Sequence, residues 1–156
     1  MKIYHQYKDI LYNSSLRILN NRQDAEDAVQ EAFLKGFKKI HRIKDHSNLK
    51  SWFTRIVINH SIDVLRKRKQ LETNIIEMPE IEDQDTYVEE HNISIDIIQK
   101  CLNRLDNKYR IVLTLFLIEN YTHKEISKEL RLNESTVRSQ YKRGKNKLIN
   151  LLNEYK

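Results

Sequence analysis

Arg138, Ser139, Gln140, Lys142, Arg143 and Lys145 lie close together near the end of the chain. Arg and Gln carry donor and acceptor sets that match base edges, while Ser and Lys bind phosphate oxygens, so these residues suit recognition of a duplex rather than a bond-making reaction. The order of the residues around them says what positions them. Thr122 with Glu125 three residues later forms a capping box, and Ile126 and Leu130 give a short helix one apolar face. Leu132 lies in the turn and Asn133 is placed to cap a second helix, in which Val137, Tyr141 and Leu148 point inward and leave the cationic set outside. A capped helix, a tight turn and a second helix that is cationic from its first turn read as a helix-turn-helix. Repressors, activators, recombinases and polymerase subunits all share that motif, and a merely solvated basic face has the same pattern.

The composition narrows the partner. The chain has 156 residues and a formal charge of +6, with two Gly, one Pro and no sustained strand-like alternation. That predicts an all-helical chain, of one domain or two small ones, with a polyanionic partner. The apolar run Ile111 to Ile118, broken by Thr114, is too short to span a bilayer, and Met1 to Gln6 opens no signal-peptide core, so a cytosolic protein without membrane insertion is expected. A single cysteine, Cys101, excludes an intrachain disulfide and a cysteine-based zinc cluster. The six His show no ligand spacing, so neither a metal nor a cofactor is expected.

Charge is distributed unevenly. From Leu71 to Ile95 there is no Lys or Arg, while Glu72, Glu77, Glu80, Glu82, Asp83, Asp85, Glu89 and Glu90 gather around Pro79. The stretch 71–95 reads as a flexible acidic linker between basic modules at 1–70 and 96–156. The predicted fold class is therefore all-α, with an N-terminal three- to four-helix bundle and a C-terminal helix-turn-helix domain. As a coil the linker spans about 25–30 Å; fully extended it reaches ~80–90 Å.

In the first module the patterning predicts helices over about 2–19, 22–40 and 48–70, with Asn21 and Asp24 marking the second start. On that second helix Ala25, Ala28, Val29, Ala32, Phe33, Gly36 and Phe37 gather on one side, and Asp24, Asp27, Gln30 and Glu31 on the other, with Leu34 among them. An acidic face repels phosphate, and an apolar residue within it suits a protein partner. The third helix has two apolar stripes, Phe53, Ile56, Val57, Val64 and Ile58, Ile62, Leu65, and must be covered on more than one side. Its remaining stripe holds Trp52, Arg55, Asn59, Asp63 and Arg66 and runs into Lys67, Arg68 and Lys69, a track for a phosphate backbone. The loop before it, with His41, Arg42, Lys44, His46 and Ser47, offers rings and a guanidinium on which unstacked bases can stack. Trp52 fits the core better than it fits a base. In the second module Ile98, Leu102 and Leu105 form a short helix, Asp106 is placed to cap the next, and Tyr109, Val112, Leu113 and Phe116 line a longer one beneath the helix-turn-helix. No carboxylate cluster, nucleophile–base pair or phosphate loop points to catalysis.

Taken together, these stretches resemble the bacterial sigma factors of the extracytoplasmic-function type, in the sigma-70 family, which carry only the second and fourth conserved regions. The resemblance rests on Asp24 to Leu34, on Leu49 to Ile56 with Asn59, Asp63 and Arg66, and on Leu102 to Leu105, Tyr109-Arg110, Glu125-Ile126 and Thr136 to Ser139. It implies that Asp24, Asp27, Gln30, Glu31 and Leu34 meet core RNA polymerase at the clamp helices of its largest subunit. It implies further that the loop Ile43 to Asn48 accepts a flipped minus-10 base, with Arg42, Lys44, His46, Ser47, Asn48, Trp52, Arg55, Asn59, Arg66 and Lys67 along that DNA. Ser135, Thr136, Arg138, Ser139 and Gln140 would face the minus-35 groove, with Lys142, Arg143 and Lys145 mainly on phosphates. The flap of the second-largest subunit, promoter DNA and an anti-sigma factor are the other implied partners, with a stress or envelope-signal regulon. The acidic linker would follow the polymerase's RNA path and imitate RNA. Two positions depart from the family: Asp106 stands where Pro is frequent, and Arg131 where the turn often has Gly. If position 131 needs a positive φ, Arg131 costs about 1 kcal/mol. Gly144, inside the last helix, costs roughly the same relative to Ala and is accounted for by close packing. The rival reading is an autonomous regulator that binds duplex DNA as a dimer; a nucleic-acid enzyme is disfavoured.

Overall fold

The computed structural model describes residues 2–44, 46–71 and 94–155, with the backbone alone at 46, 69–71 and 95. Among these residues every regular element is helical. The chain divides into two units, Met1–Ile75 and Ile76–Lys156. The acidic residues from Glu72 to Glu90, and Pro79, lie outside the described residues.

Unit 1 consists of α1 (Lys2–Leu19), α2 (Arg22–Lys39) and α3 (Leu49–Leu71), each packed on the other two. Helix α1 stops where Asn20 turns to φ 51°, a left-handed conformation that Asn tolerates. One residue later the side chain of Asn21 accepts a hydrogen bond from the Asp24 amide, as its position predicts. Leu11 and Ile18 of α1, Ala25 and Ala32 of α2, and Phe53 and Val57 of α3 are fully buried at the centre. Two close approaches set the geometry. Ser61 donates to the Val57 carbonyl at 2.7 Å, so Ser15 supplies the proton of the 2.8 Å hydroxyl contact that joins α1 to α3. A Cβ on Gly36 would fall on the Phe53 ring, so α2 approaches α3 only because residue 36 has no side chain. Phe37 differs from expectation: it is 40% exposed, at the edge of an aromatic group in which Phe33 and Phe53 occupy the interior.

Unit 2 contains α4 (Ile95–Asn103), α5 (Asn107–Leu113), α6 (His123–Leu130) and α7 (Glu134–Asn153). Its core joins Cys101, Leu102, Leu105, Tyr109, Leu113, Leu148 and Leu152. Gly144 lets α7 close on α5, since an added Cβ would stand 3.0 Å from Tyr109 Cβ and 3.2 Å from Leu113 Cδ1. The helix expected to continue through Phe116 instead loosens into a π-helical turn over Thr114–Ile118. That turn carries Phe116 to His123 of α6 (ring centroids 4.5 Å apart) and Tyr141 of α7 (4.6 Å), so the strand of rings supports the helix-turn-helix from below. Two expected caps are not made. Asp106 and Asn133 both take the N-cap position, but neither side chain bonds to its helix. The backbone suffices: the Asp106 carbonyl accepts from the Tyr109 and Arg110 amides, and the Asn133 carbonyl from Val137.

Candidate functional site

The helix-turn-helix is α6, a turn and α7. Thr122 and Glu125 form the full reciprocal capping box, with bonds of 3.1 and 3.2 Å. The turn is held by Ser127. Its carbonyl accepts from the Arg131 and Leu132 amides, and its hydroxyl donates to the Leu132 carbonyl at 2.6 Å. Arg131 lies at φ 56°, ψ 44°, the left-handed conformation, where a non-glycine residue is strained by about 1–2 kcal/mol.

On α7, Ser135, Arg138, Ser139, Lys142 and Lys145 are exposed, whereas Thr136, Gln140 and Arg143 are half-buried. Gln140 therefore lies at the border of the exposed basic face, because it precedes Gly144, the point of closest packing, by one helical turn. Arg138 reaches Glu134 at 3.4 Å, an exposed i, i+4 pair that costs little to exchange for a base. Ser139 spends its proton on the Ser135 carbonyl at 3.0 Å. In that rotamer it presents lone pairs only, so it suits a base amino group rather than a phosphate.

In unit 1 the loop after α2 starts with a 3₁₀ turn, Ile40–Arg42, closed by the Ile43 amide on the Ile40 carbonyl, and a second, His46–Asn48, leads into α3. Arg42, Lys44, Ser47 and Asn48 are exposed. Asp45 and the side chain of His46 lie outside the described residues. Trp52 is half-buried with its ring edge-on to Phe53 at 5.1 Å, so it belongs partly to the core and partly to the surface. Arg55 is exposed and Asn59 half-buried on the same stripe.

The cationic end of α3 is less open than the run of charges implies. Arg66 pairs with Asp63 one turn back, and Arg68 pairs with Asp24 at the start of α2. Lys67 is exposed, and the side chain of Lys69 lies outside the described residues. Asp24, assigned by resemblance to the polymerase-facing set, thus helps fasten α2 to α3. The rest of that set is exposed: Asp27, which accepts from Gln23 at 3.1 Å, Gln30, Glu31 and Leu34, the last at 57%. Phe37, one turn beyond Leu34, adds a second apolar residue to this face; its i, i+3 spacing from Leu34 was the available signal. Between α2 and α3, Lys35 Nζ donates to His60 Nδ1 at 2.9 Å. Burial first, and Lys35 second, hold the His60 pKa below its ordinary value. No sequence pattern announced that pair.

Among the described residues no group of three His, Cys, Asp or Glu could hold a metal ion, and no helix is long and apolar enough to cross a membrane.

The sigma-70 region 2 family model matches residues 3–70 and the sigma-70 region 4 model residues 95–148. The ECF RNA polymerase sigma factor SigW of Bacillus subtilis is 30% identical over 154 residues, covering 91% of this chain and 82% of its own. The chain belongs to the ECF sigma factors. The sigma factor SigM of the same species is 28% identical over 164 residues, covering 97% and 94%. The fold agrees with a solved structure of the sigma factor RpoE in complex with the anti-sigma factor NepR from Bartonella quintana, at a TM-score of 0.60 and 21% identity over 97% of this chain and 95% of that one. As a sigma factor, this protein binds core RNA polymerase and promoter DNA and directs promoter-specific transcription initiation. That sets aside the autonomous dimeric regulator.

Proposed function

We propose that this sigma factor divides its work between two basic modules, 1–70 on polymerase and the minus-10 element and 96–156 on the minus-35 element, with the acidic stretch 71–95 as the tether. The observation that carries the division is α2: one face is buried against α1 and α3, and the other leaves Asp27, Gln30, Glu31, Leu34 and Phe37 exposed in a chain of formal charge +6. Acidic groups around apolar side chains repel DNA and suit a basic, partly apolar protein surface. The clamp helices of the largest polymerase subunit are that surface in this reading, and Asp24 acts through its ion pair with Arg68 rather than by contact.

On the loop after α2 and on α3, Arg42, Lys44, Ser47, Asn48, Trp52, Arg55 and Asn59 receive the minus-10 strand, with Lys67 on phosphate. Half exposure of Trp52 leaves one part of the indole for a base while the other holds the ring in place. Arg66 joins them by exchanging Asp63 for a phosphate. On α7, Ser135, Thr136, Arg138, Ser139 and Gln140 read the minus-35 groove, and Lys142, Arg143 and Lys145 hold its phosphates. The protein works in the cytoplasm, catalyses nothing itself, and serves a stress or envelope-signal regulon. An anti-sigma factor holds it inactive; a relative in fold, RpoE, was solved in complex with NepR.

In vitro transcription with bacterial core polymerase, with and without this protein, tests the whole reading. Promoter-dependent initiation appears only in its presence; failure on every genomic fragment, together with failure to co-purify with core, refutes it. Asp27→Lys with Glu31→Lys tests the α2 face, because unchanged affinity for core would remove that assignment.

A further inference from the structure

Among the described residues, three non-glycine residues adopt the left-handed conformation: Asn20, Asn120 and Arg131. Two are Asn, whose short polar side chain tolerates it, so the chain twice uses a residue that fits. Arg131 does not fit, yet the turn enforces its conformation through the two amide bonds to the Ser127 carbonyl and the Ser127 hydroxyl on Leu132. Gly or Asn at 131 would keep every one of those bonds, since none involves the side chain of Arg131. What arginine adds is therefore its guanidinium, which is exposed and makes no hydrogen bond or ion pair among the described residues. The fold gains no polar contact from it.

Its position says what could. Arg131 stands three residues before the first residue of α7, the helix whose opening turns carry Ser135, Thr136 and Arg138. A recognition helix enters the major groove with its N-terminal residues at the base edges, so the turn before it lies beside the phosphates that border the groove. A planar, permanently charged fork suits a phosphate there. Resting on the reading that α7 occupies the minus-35 groove, we propose that Arg131 is a further DNA-binding residue, which clamps a backbone phosphate at the edge of the minus-35 element. Backbone strain at this turn is retained for the sake of that contact.

The test uses holoenzyme made with the full chain, wild type or variant, on a promoter fragment selected from genomic DNA by the wild-type holoenzyme. Arg131→Gly and Arg131→Asn relieve the strain and remove the charge; Arg131→Lys keeps both. One phosphate contact changes the slope of log K against log salt by about 0.9, which corresponds to about eightfold in affinity at about 0.1 M salt. The Gly and Asn variants accordingly bind the promoter about eightfold more weakly with the shallower slope, while the Lys variant stays near wild type. Thermal unfolding moves oppositely, with the Gly variant melting several degrees higher. Equal affinity and an unchanged slope for Arg131→Gly overturn the proposal. A scrambled minus-35 sequence separates the two levels. If wild-type holoenzyme ignores the scrambling, the placement of α7 fails and this inference with it; if wild type discriminates and the Gly variant binds equally well, only this inference fails.

Discussion

Gly36→Ala should destabilise unit 1, although intrinsic propensity alone favours the change by about 0.8–1.0 kcal/mol inside a helix. The added Cβ would collide with Phe53 Cε1 and lie 2.8 Å from Cδ1 and 3.0 Å from Cζ. To regain ordinary contact the ring must retreat by more than about 1 Å in a close-packed interior. It has nowhere to go. Phe53 is fully buried, with Phe33 at 5.0 Å, Trp52 at 5.1 Å and Phe37 at 5.7 Å between ring centroids. Over-packing of this kind costs typically ~1–3 kcal/mol, and a core ring with three aromatic neighbours belongs at the upper end. After the helix gain is subtracted, the net loss is about 2 kcal/mol, which lowers the urea midpoint by about 1–2 M for a module of this size. Trp52 is the only tryptophan in the chain, and its ring touches Phe53, so its fluorescence follows unit 1 and the perturbed contact together. Phe53→Leu removes the colliding ring edge. The double variant should therefore lose at least about 1 kcal/mol less than the sum of the singles. A Gly36→Ala protein more stable than wild type, or strict additivity with Phe53→Leu, would refute the close-approach argument.

Thr122→Ala removes half of the capping box and should cost unit 2 about 1 kcal/mol, read by thermal unfolding of the full chain; no loss would mean that the backbone caps α6 unaided. Arg138→Ala should alter promoter choice in a manner that depends on the minus-35 sequence, by roughly 1–3 kcal/mol at the affected base pair. Lys145→Ala should instead weaken all promoters alike and reduce the salt slope by about one; identical profiles for the two variants would erase the distinction between base and phosphate contacts. His60 has a folded pKa below its ordinary 6.5, so folding favours the neutral ring that accepts from Lys35. Well above pH 6.5 the ring is neutral in both states and adds no pH dependence to stability. As pH falls below that value the unfolded chain takes the proton first, and stability declines until the folded pKa is passed. His60→Gln should flatten this part of the profile, and an unchanged acid limb would remove the role.

The two modules differ in how far the chain itself announces them. Helix starts were legible wherever a local side chain makes the bond: Asn21 to Asp24, and Thr122 with Glu125, occur as read. Asp106 and Asn133 were placed correctly but not bonded, since a backbone carbonyl can start a helix without its side chain. Phe37 joins the buried stripe on a helical wheel, yet the width of the α1 and α3 contacts decides where burial ends, and it ends before Phe37.

Local pattern determined the helices, the acidic face of α2, the basic face of α7 and the family, because capping, amphipathic spacing and charge act over a few residues and need no partner. Tertiary structure decided which of those charges remain available. Asp24 and Arg68, far apart in sequence, neutralise each other across α2 and α3, and Arg66 turns to Asp63. Packing likewise decided why Gly36 and Gly144 must be glycines, since only a neighbouring helix supplies the atoms that a Cβ would meet. At Arg131 both contribute: the sequence shows an unusual residue in the turn, and the three bonds to Ser127 show that the fold imposes the strained conformation on it.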